Sequence, residues 1–267
     1  MSKQAELANA FSGFHVAGEP LVLFNVWDAG SAKAAAEAGA KAIATGSWAV
    51  AVANGFDDGE KIPFDLVLAN LFRITSSVDL PVSLDFEGGY ARDPKRVGAN
   101  VAKAIEAGAI GINFEDRVVG GEGLYSIDEQ SERIRAIRKA ADDLSVPIFI
   151  NARTDVFLPL DPATHTESHL EEAIARAHAY AEAGGSGFFA PGLVNPDFIG
   201  RLCKASSLPL NILVWPGVPS TKQLAELGVA RISYGGGSYR TTMNAFTEAA
   251  KKAFQWNEER GRAETAQ

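Results

Sequence analysis

Two carboxylates two residues apart, Asp85 and Glu87, close the apolar run Val82-Ser-Leu84 and are followed at once by Gly88 and Gly89. On a strand, residues i and i+2 point to the same face, so this spacing aims both anions at one place. Anions so placed repel each other unless a cation lies between them. The chemistry this suggests is a hard divalent ion, Mg²⁺ or in its place Mn²⁺, held by oxygen ligands and water. Asp85 is the candidate for direct contact. Glu87 and Glu115 would bind directly or through water, and Asp58, in the loop 54–60, could reach over the same point. Asp58 can equally be read as part of a solvated acidic loop with Asp57 and Glu60. The planar fork of Arg153 suits a substrate carboxylate or a developing oxyanion. The turn at Gly46, Ser47 and Trp48 offers backbone N–H groups near a helix start as a second anion cradle. Asn211 could hydrogen-bond another carboxylate.

These residues need a scaffold that brings them to one place. Eight near-continuously apolar strands are predicted at 21–26, 42–47, 82–87, 110–116, 148–153, 187–191, 210–214 and 231–234. After a helix over 4–14, the pattern alternates strands with helices ending near Ala38 and over about 64–77, 94–107, 127–142, 168–183, 195–204, 220–227 and 239–255. Strands apolar along their whole length are what a parallel sheet covered by helices requires. Eight βα units in about 240 residues is the count of a (β/α)₈ TIM barrel, whose chemistry gathers at the C-terminal ends of the strands. An open, doubly wound sheet would need a glycine-rich turn after the first strand, and Val26-Trp-Asp-Ala-Gly30 does not supply G-x-G-x-x-G. No linker or composition break divides residues 1–267, so we expect one barrel domain with a polar, frayed tail over 256–267.

Composition narrows the function. The chain has 267 residues and a formal net charge of −8, which disfavours nucleic acid and anionic membranes as partners. No apolar run approaches the roughly 18–20 residues of a membrane span, and the N-terminus has no secretory pattern. Cys203 is the only cysteine, which excludes an internal disulfide and fits a reducing, cytoplasmic setting. No lysine stands at a strand's C-terminal end, which argues against a Schiff-base aldolase. Asp28 and Asp116 read as a helix cap and an ion-pair partner. Cys203 reads as a packed residue, and His165 and His169 as surface residues of the loop after the fifth strand, with a lid role as the alternative. Tyr90 and Tyr125 read either as acids or as packing residues. Gly235-Gly-Gly237 occupies the usual barrel phosphate position, a weak signal by itself.

Taken in order, Asn25-Val-Trp-Asp-Ala29, Thr45-Gly-Ser47, Gly55-Phe-Asp-Asp-Gly-Glu60, Asp85-Phe-Glu-Gly-Gly-Tyr90, Gly111-Ile-Asn-Phe-Glu-Asp116, Asn151-Ala-Arg-Thr-Asp155 and Pro209-Leu-Asn211 resemble the isocitrate lyase/phosphoenolpyruvate mutase superfamily. The resemblance runs from about residue 20 to 250. It implies a (β/α)₈ barrel whose last helix swaps into a partner subunit, in a homotetramer built as a dimer of dimers. It implies Mg²⁺ around Asp85, with Asp58, Glu87 and Glu115 acting mostly through water. It also implies a 2-oxo or 2-hydroxy acid held by Gly46, Ser47, Arg153 and Asn211. Members make or break C–C or P–C bonds beside a carboxylate through an enolate.

One loop departs from the pattern. The lyases carry K-[KR]-C-G-H after strand 4, with the cysteine as general acid. Here the region reads Arg117-Val-Val-Gly-Gly-Glu-Gly-Leu-Tyr125, without Cys, Lys or His. The lysine-and-asparagine gating loop of the phosphonopyruvate mutases is missing too. Glu122 and Tyr125 are the candidates to replace the acid. The expected activity is Mg²⁺-dependent C–C cleavage or decarboxylation of a small 2-oxo or 2-hydroxy carboxylate. The rivals are P–C chemistry on a phosphonate and a dicarboxylate-binding paralogue without turnover.

Overall fold

The structure, a computed structural model, describes the backbone of residues 2–265 and the side chains of residues 2–255. Eight parallel strands, β1 (Leu21–Leu23), β2 (Ile43–Ala44), β3 (Val82–Asp85), β4 (Gly111–Glu115), β5 (Phe149–Arg153), β6 (Gly187–Phe189), β7 (Leu210–Leu213) and β8 (Arg231–Ser233), lie in the order β1-β8-β7-β6-β5-β4-β3-β2. A parallel bridge between Val26 and Thr45 joins the two ends of that order, with the Val26 N–H donating to the Ala44 carbonyl at 2.9 Å. This is the expected (β/α)₈ barrel. The helices are α1 (Lys3–Gly13), α2 (Ala29–Glu37), α3 (Ser47–Ala53), α4 (Phe64–Thr75), α5 (Pro94–Glu106), α6 (Ile127–Asp143), α7 (Glu167–Glu182), α8 (Pro196–Ala205), α9 (Thr221–Glu226) and α10 (Gly237–Thr265).

Local chemistry accounts for most boundaries. Asp28 caps α2, accepting the Ser31 N–H at 2.7 Å, and Ser126 with Glu129 forms a capping box on α6. Gly39, at φ +92°, takes the left-handed turn that follows α2. Three boundaries differ from expectation. The strands other than β5 stop earlier, and the residues beyond β1 and β8 leave the ladder to build the barrel mouth: Asn25 Oδ1 accepts the N–H groups of Tyr234 and Gly235, at 3.0 and 2.8 Å. The short α3 was not anticipated, since seven residues are too few to show a helical period. The tail expected to fray is helical as far as Thr265, and its last two residues lie outside the described residues. Among the described residues, no helix is long and apolar enough to cross a membrane.

Helix α1 closes the N-terminal end of the barrel. The fully buried Phe11 meets Phe149 edge-on at 5.5 Å, and His15 stacks on Phe149 at 3.9 Å. His15 Nδ1 lies 2.8 Å from the Phe11 carbonyl, and Nε2 is buried without a partner. Burial, and then the charge of Arg231, lower the His15 pKa to about 3. The unfolded chain binds a proton on this residue below about pH 6.5, and the folded one refuses it. Stability is therefore complete above that pH and falls as the pH drops toward 3, by up to about 1.4 kcal/mol per unit. His15→Leu should flatten the pH dependence of urea unfolding between pH 6.5 and 4. Parallel curves for the two proteins would remove His15 as the cause.

Candidate active site

A cavity of about 690 Å³ opens at the C-terminal ends of the strands. Asp58, Asp85, Asn113, Arg153 and Ser233 supply polar lining, and Trp48, Trp215 and Pro216 supply apolar lining. The anticipated position at the ends of β2, β3, β4 and β5 is thus where the polar groups converge.

Asp85 ends β3 and is held from the β2 side. Its N–H donates to Thr45 Oγ1 at 2.8 Å, and its Oδ2 accepts the Ser47 N–H at 2.9 Å. Its Oδ1 is buried with no hydrogen-bond partner. The Ser47 N–H therefore serves Asp85. This corrects the expectation that Gly46 and Ser47 present that group to a substrate anion. Gly46, Ser47 and Trp48 still line the cavity. Trp48 lies against Gly236 so closely that a Cβ there would meet its ring at 2.6 Å.

The premise of a shared strand face does not hold for Glu87. The strand ends at Asp85, and Glu87 adopts φ +50°. Its carboxylate turns aside, with Oε2 accepting the Glu60 N–H at 2.8 Å and Oε1 the Tyr90 hydroxyl at 3.3 Å. Glu60 and Tyr90 are also left-handed, at φ +57° and +56°, and Glu60 Oε1 accepts the Tyr90 N–H at 2.7 Å. Three non-glycine residues in this region form one hydrogen-bonded cluster, each strained by about 1 kcal/mol or more. Glu60 was not expected at the site, although its place at the end of Gly55-Phe-Asp-Asp-Gly-Glu60 was the available signal. The coupling to Asp85 survives: burial, then Asp58, then Asp85, raise the Glu87 pKa to about 8. Asp58 stands exposed at the rim, where desolvation by surrounding atoms and the charge of Asp85 push its carboxyl pKa up.

Glu115 and Arg153 end neighbouring strands. Arg153 Nη1 lies 2.9 Å from Glu115 Oε2, while Nε and Nη2 donate to Asp155 at 2.6 and 2.9 Å. Burial opposes charge on Arg153, but Glu115 and Asp155 outweigh it and hold its pKa well above the ordinary value. Burial pushes Glu115 the other way, toward protonation, and Arg153 opposes that push. The close ion pair favours the ionised carboxylate. Asp155 was missed as a site residue, although its place two residues after Arg153 in Asn151-Ala-Arg-Thr-Asp155 was the available signal.

Other expected residues fall outside the cavity lining. Asn211 is fully buried, with Oδ1 accepting the Ser233 hydroxyl at 3.2 Å and Nδ2 unpartnered. Glu122 is exposed, on a loop that does not line the cavity. The Tyr125 ring packs against the buried Arg133 guanidinium at 4.0 Å. An acid role for Glu122 or Tyr125 would need loop 117–125 to move over the mouth. Tyr90 stacks on Phe64 at 4.7 Å and reaches Glu87 rather than the cavity. Asp116 is the ion-pair partner expected: it is buried and accepts from Arg176 at 3.1 Å and Tyr180 at 2.9 Å. His169 Nδ1 accepts the Thr166 N–H at the start of α7, and Cys203 is half-buried on α8.

The oxygen-only donor set suits a hard cation. Among the described residues, no three carboxylate, imidazole or thiol side chains converge closely enough to hold an ion by themselves. Mg²⁺ does not require that, since it keeps several waters and commonly takes one or two carboxylates directly. The orphaned Oδ1 of Asp85 is the buried atom such an ion would satisfy.

The phosphoenolpyruvate phosphomutase family profile matches residues 11–254. The chain is 30% identical to 2-methylisocitrate lyase of Escherichia coli K12 over 236 residues, 85% of this chain and 77% of that protein. It superposes with a TM-score of 0.91 on a crystal structure from Burkholderia cenocepacia J2315 whose phosphonomutase assignment is provisional, at 47% identity, covering 94% of this chain and 99% of that one. A phosphonopyruvate hydrolase solved with oxalate and Mg²⁺ shares the fold, with a TM-score of 0.80 at 22% identity, covering 96% of this chain and 88% of that one.

Proposed function

This chain belongs to the phosphoenolpyruvate phosphomutase family, within the isocitrate lyase/phosphoenolpyruvate mutase superfamily, and on that premise we propose that it is a Mg²⁺-dependent enzyme acting on a small 2-oxo or 2-hydroxy carboxylate by C–C cleavage or decarboxylation through an enolate. The observation that carries this reading is the pairing of Asp85, with one buried oxygen left free, and Arg153, pinned by two carboxylates at the same mouth. Asp85 would hold the ion directly, and Asp58, Glu87 and Glu115 through water. When bound, Mg²⁺ would polarise the substrate's carboxylate and carbonyl or hydroxyl oxygens.

The protein's own groups do the rest. Two of the five guanidinium N–H groups of Arg153 donate to Asp155, and Glu115 Oε2 lies 2.9 Å from Nη1 as an ion-pair partner; together they fix its plane. Its η nitrogens keep N–H groups that can meet the oxygen on which negative charge develops as the C–C bond breaks and its electron pair moves into the enolate. Trp48, Trp215 and Pro216 line the apolar side of the mouth and limit water around that charge. The carbon is then protonated, and the source of that proton is tested directly. Glu122→Gln and Tyr125→Phe should leave oxalate affinity unchanged in calorimetry, because neither residue lines the cavity. A fall in turnover in one of them would show that the loop brings it to the substrate, and full turnover in both would discard them as the acid.

The decisive experiment is a screen of 2-oxo and 2-hydroxy acids with Mg²⁺, followed by identification of products. The rival reading, phosphonate P–C chemistry, is favoured by the likeness to the Burkholderia protein, and ³¹P NMR of a phosphonopyruvate incubation separates the two. No turnover across both panels, with oxalate still bound, would leave a binding paralogue. We also propose that α10 packs against a partner subunit, in a dimer of dimers. Phe246 and Phe254 on that helix are 69% and 68% exposed, a pair of large apolar surfaces that one chain leaves uncovered. A monomer in analytical ultracentrifugation would sink that assembly.

A further inference from the structure

Arg231 is the unexpected side chain inside the barrel. The interior layers of such barrels are normally filled by Val, Ile and Leu. Here a fully buried arginine on β8 lies just under the mouth, and no carboxylate contacts it. Its Nη2 donates to Asn113 Oδ1 at 3.1 Å and its Nε to Ser233 Oγ at 3.3 Å, while Nη1 has no partner. Both acceptors line the cavity. A buried cation without a counter-ion is costly, so its place calls for a purpose.

An arginine can only donate. The Asn113 atom facing it is therefore the carbonyl oxygen, and the same oxygen accepts from Asn151 Nδ2 at 2.8 Å. Held at Oδ1 by two donors, the Asn113 amide can expose only its NH₂ group to the mouth, and that nitrogen has no hydrogen-bond partner among the described residues. The same direction passes through Ser233. Its oxygen accepts from Arg231 and its hydroxyl donates to Asn211 Oδ1 at 3.2 Å, while Asn211 Nδ2 is buried without a partner. One cation thus dictates the orientation of the Asn113 amide, which would otherwise flip at almost no cost in shape.

We propose that Arg231 is a positioning residue: it holds the Asn113 carbonyl oxygen beneath the mouth, so that the Asn113 NH₂ group, and not its carbonyl, meets an anionic substrate oxygen. The proposal rests on reading the mouth as a carboxylate site. Arg231 stays charged at neutral pH; burial lowers its pKa only to about 9.

The test is calorimetric titration with oxalate in saturating Mg²⁺, and with Mg²⁺ alone, on the wild type, Arg231→Met, Asn113→Leu and the double variant. Arg231→Met and Asn113→Leu should each weaken oxalate at least tenfold. The double variant should be no weaker than the poorer single one, because Arg231 acts through Asn113. Mg²⁺ affinity should be unchanged throughout, a result that a collapsed mouth would not give. If Arg231→Met does not fold, Arg231→Lys takes its place under the same criterion, since one ammonium cannot hold Asn113 and Ser233 in a fork. Oxalate binding as tight as wild type in the Arg231 variant, losses that add, or a parallel loss of Mg²⁺ affinity would overturn the inference alone. A wild type that binds no oxalate would remove the functional reading, and this inference with it.

Discussion

Asp85→Ala should abolish Mg²⁺-dependent binding of oxalate while the barrel remains folded. Asp85 is the carboxylate at the mouth with one oxygen on a backbone N–H and the other buried without a partner. Removing it leaves the Ser47 N–H unpaired, at about 1–3 kcal/mol. It also removes an anion that burdens both Glu87 and Asp58, so the two effects on stability oppose each other. Binding has no such compensation, because the remaining acids stand at the rim, turn aside, or pair with Arg153. Isothermal titration with Mg²⁺ and oxalate is the measurement, with urea unfolding of the metal-free protein as the control. Affinity equal to wild type would sink the metal assignment.

Arg153→Lys should lower turnover about 10²–10³-fold, or about 3–4 kcal/mol of transition-state stabilisation. Lysine keeps a positive charge near Glu115 and loses the planar fork that Asp155 holds at two points. The substrate's resting carboxylate can still feel the ammonium, so kcat should fall more than KM rises. Arg153→Met is a different experiment. It strands Glu115 and Asp155 as buried, uncompensated acids and should destabilise the fold by about 3–5 kcal/mol. A lysine variant within threefold of wild-type kcat would show that the fork plays no part in the reaction.

Much of the architecture was legible in the chain. Every strand of the barrel lies inside a predicted apolar run, because a strand covered on both sides must be apolar along its length whatever its neighbours. Asp85 and Arg153 were placed at the mouth for a related reason, as charged residues at the end of a buried run, and Asp58 as a residue of the loop 54–60 that could reach over it; all three line the cavity. The readings that changed depended on backbone direction. A period of two holds only within a strand, so the turn of Glu87 out of the strand cancelled the shared face. The helix-start cradle at Ser47 became a clamp on Asp85 because β2 and β3 lie side by side, a contact across 38 residues.

By itself, then, the sequence determined the barrel, the order of its units, the ends at which chemistry gathers and a loop after β4 unlike that of the superfamily's lyases. Periodicity, caps and punctuation are local, and they can be read without knowing what touches what. Tertiary structure alone decided which donor faces which acceptor: Asp155 on Arg153, Ser47 on Asp85, and Arg231 on Asn113 across 118 residues. Hydrogen bonds are directional, and a composition or spacing carries no direction, so the polarity of the mouth appears only once the strands close.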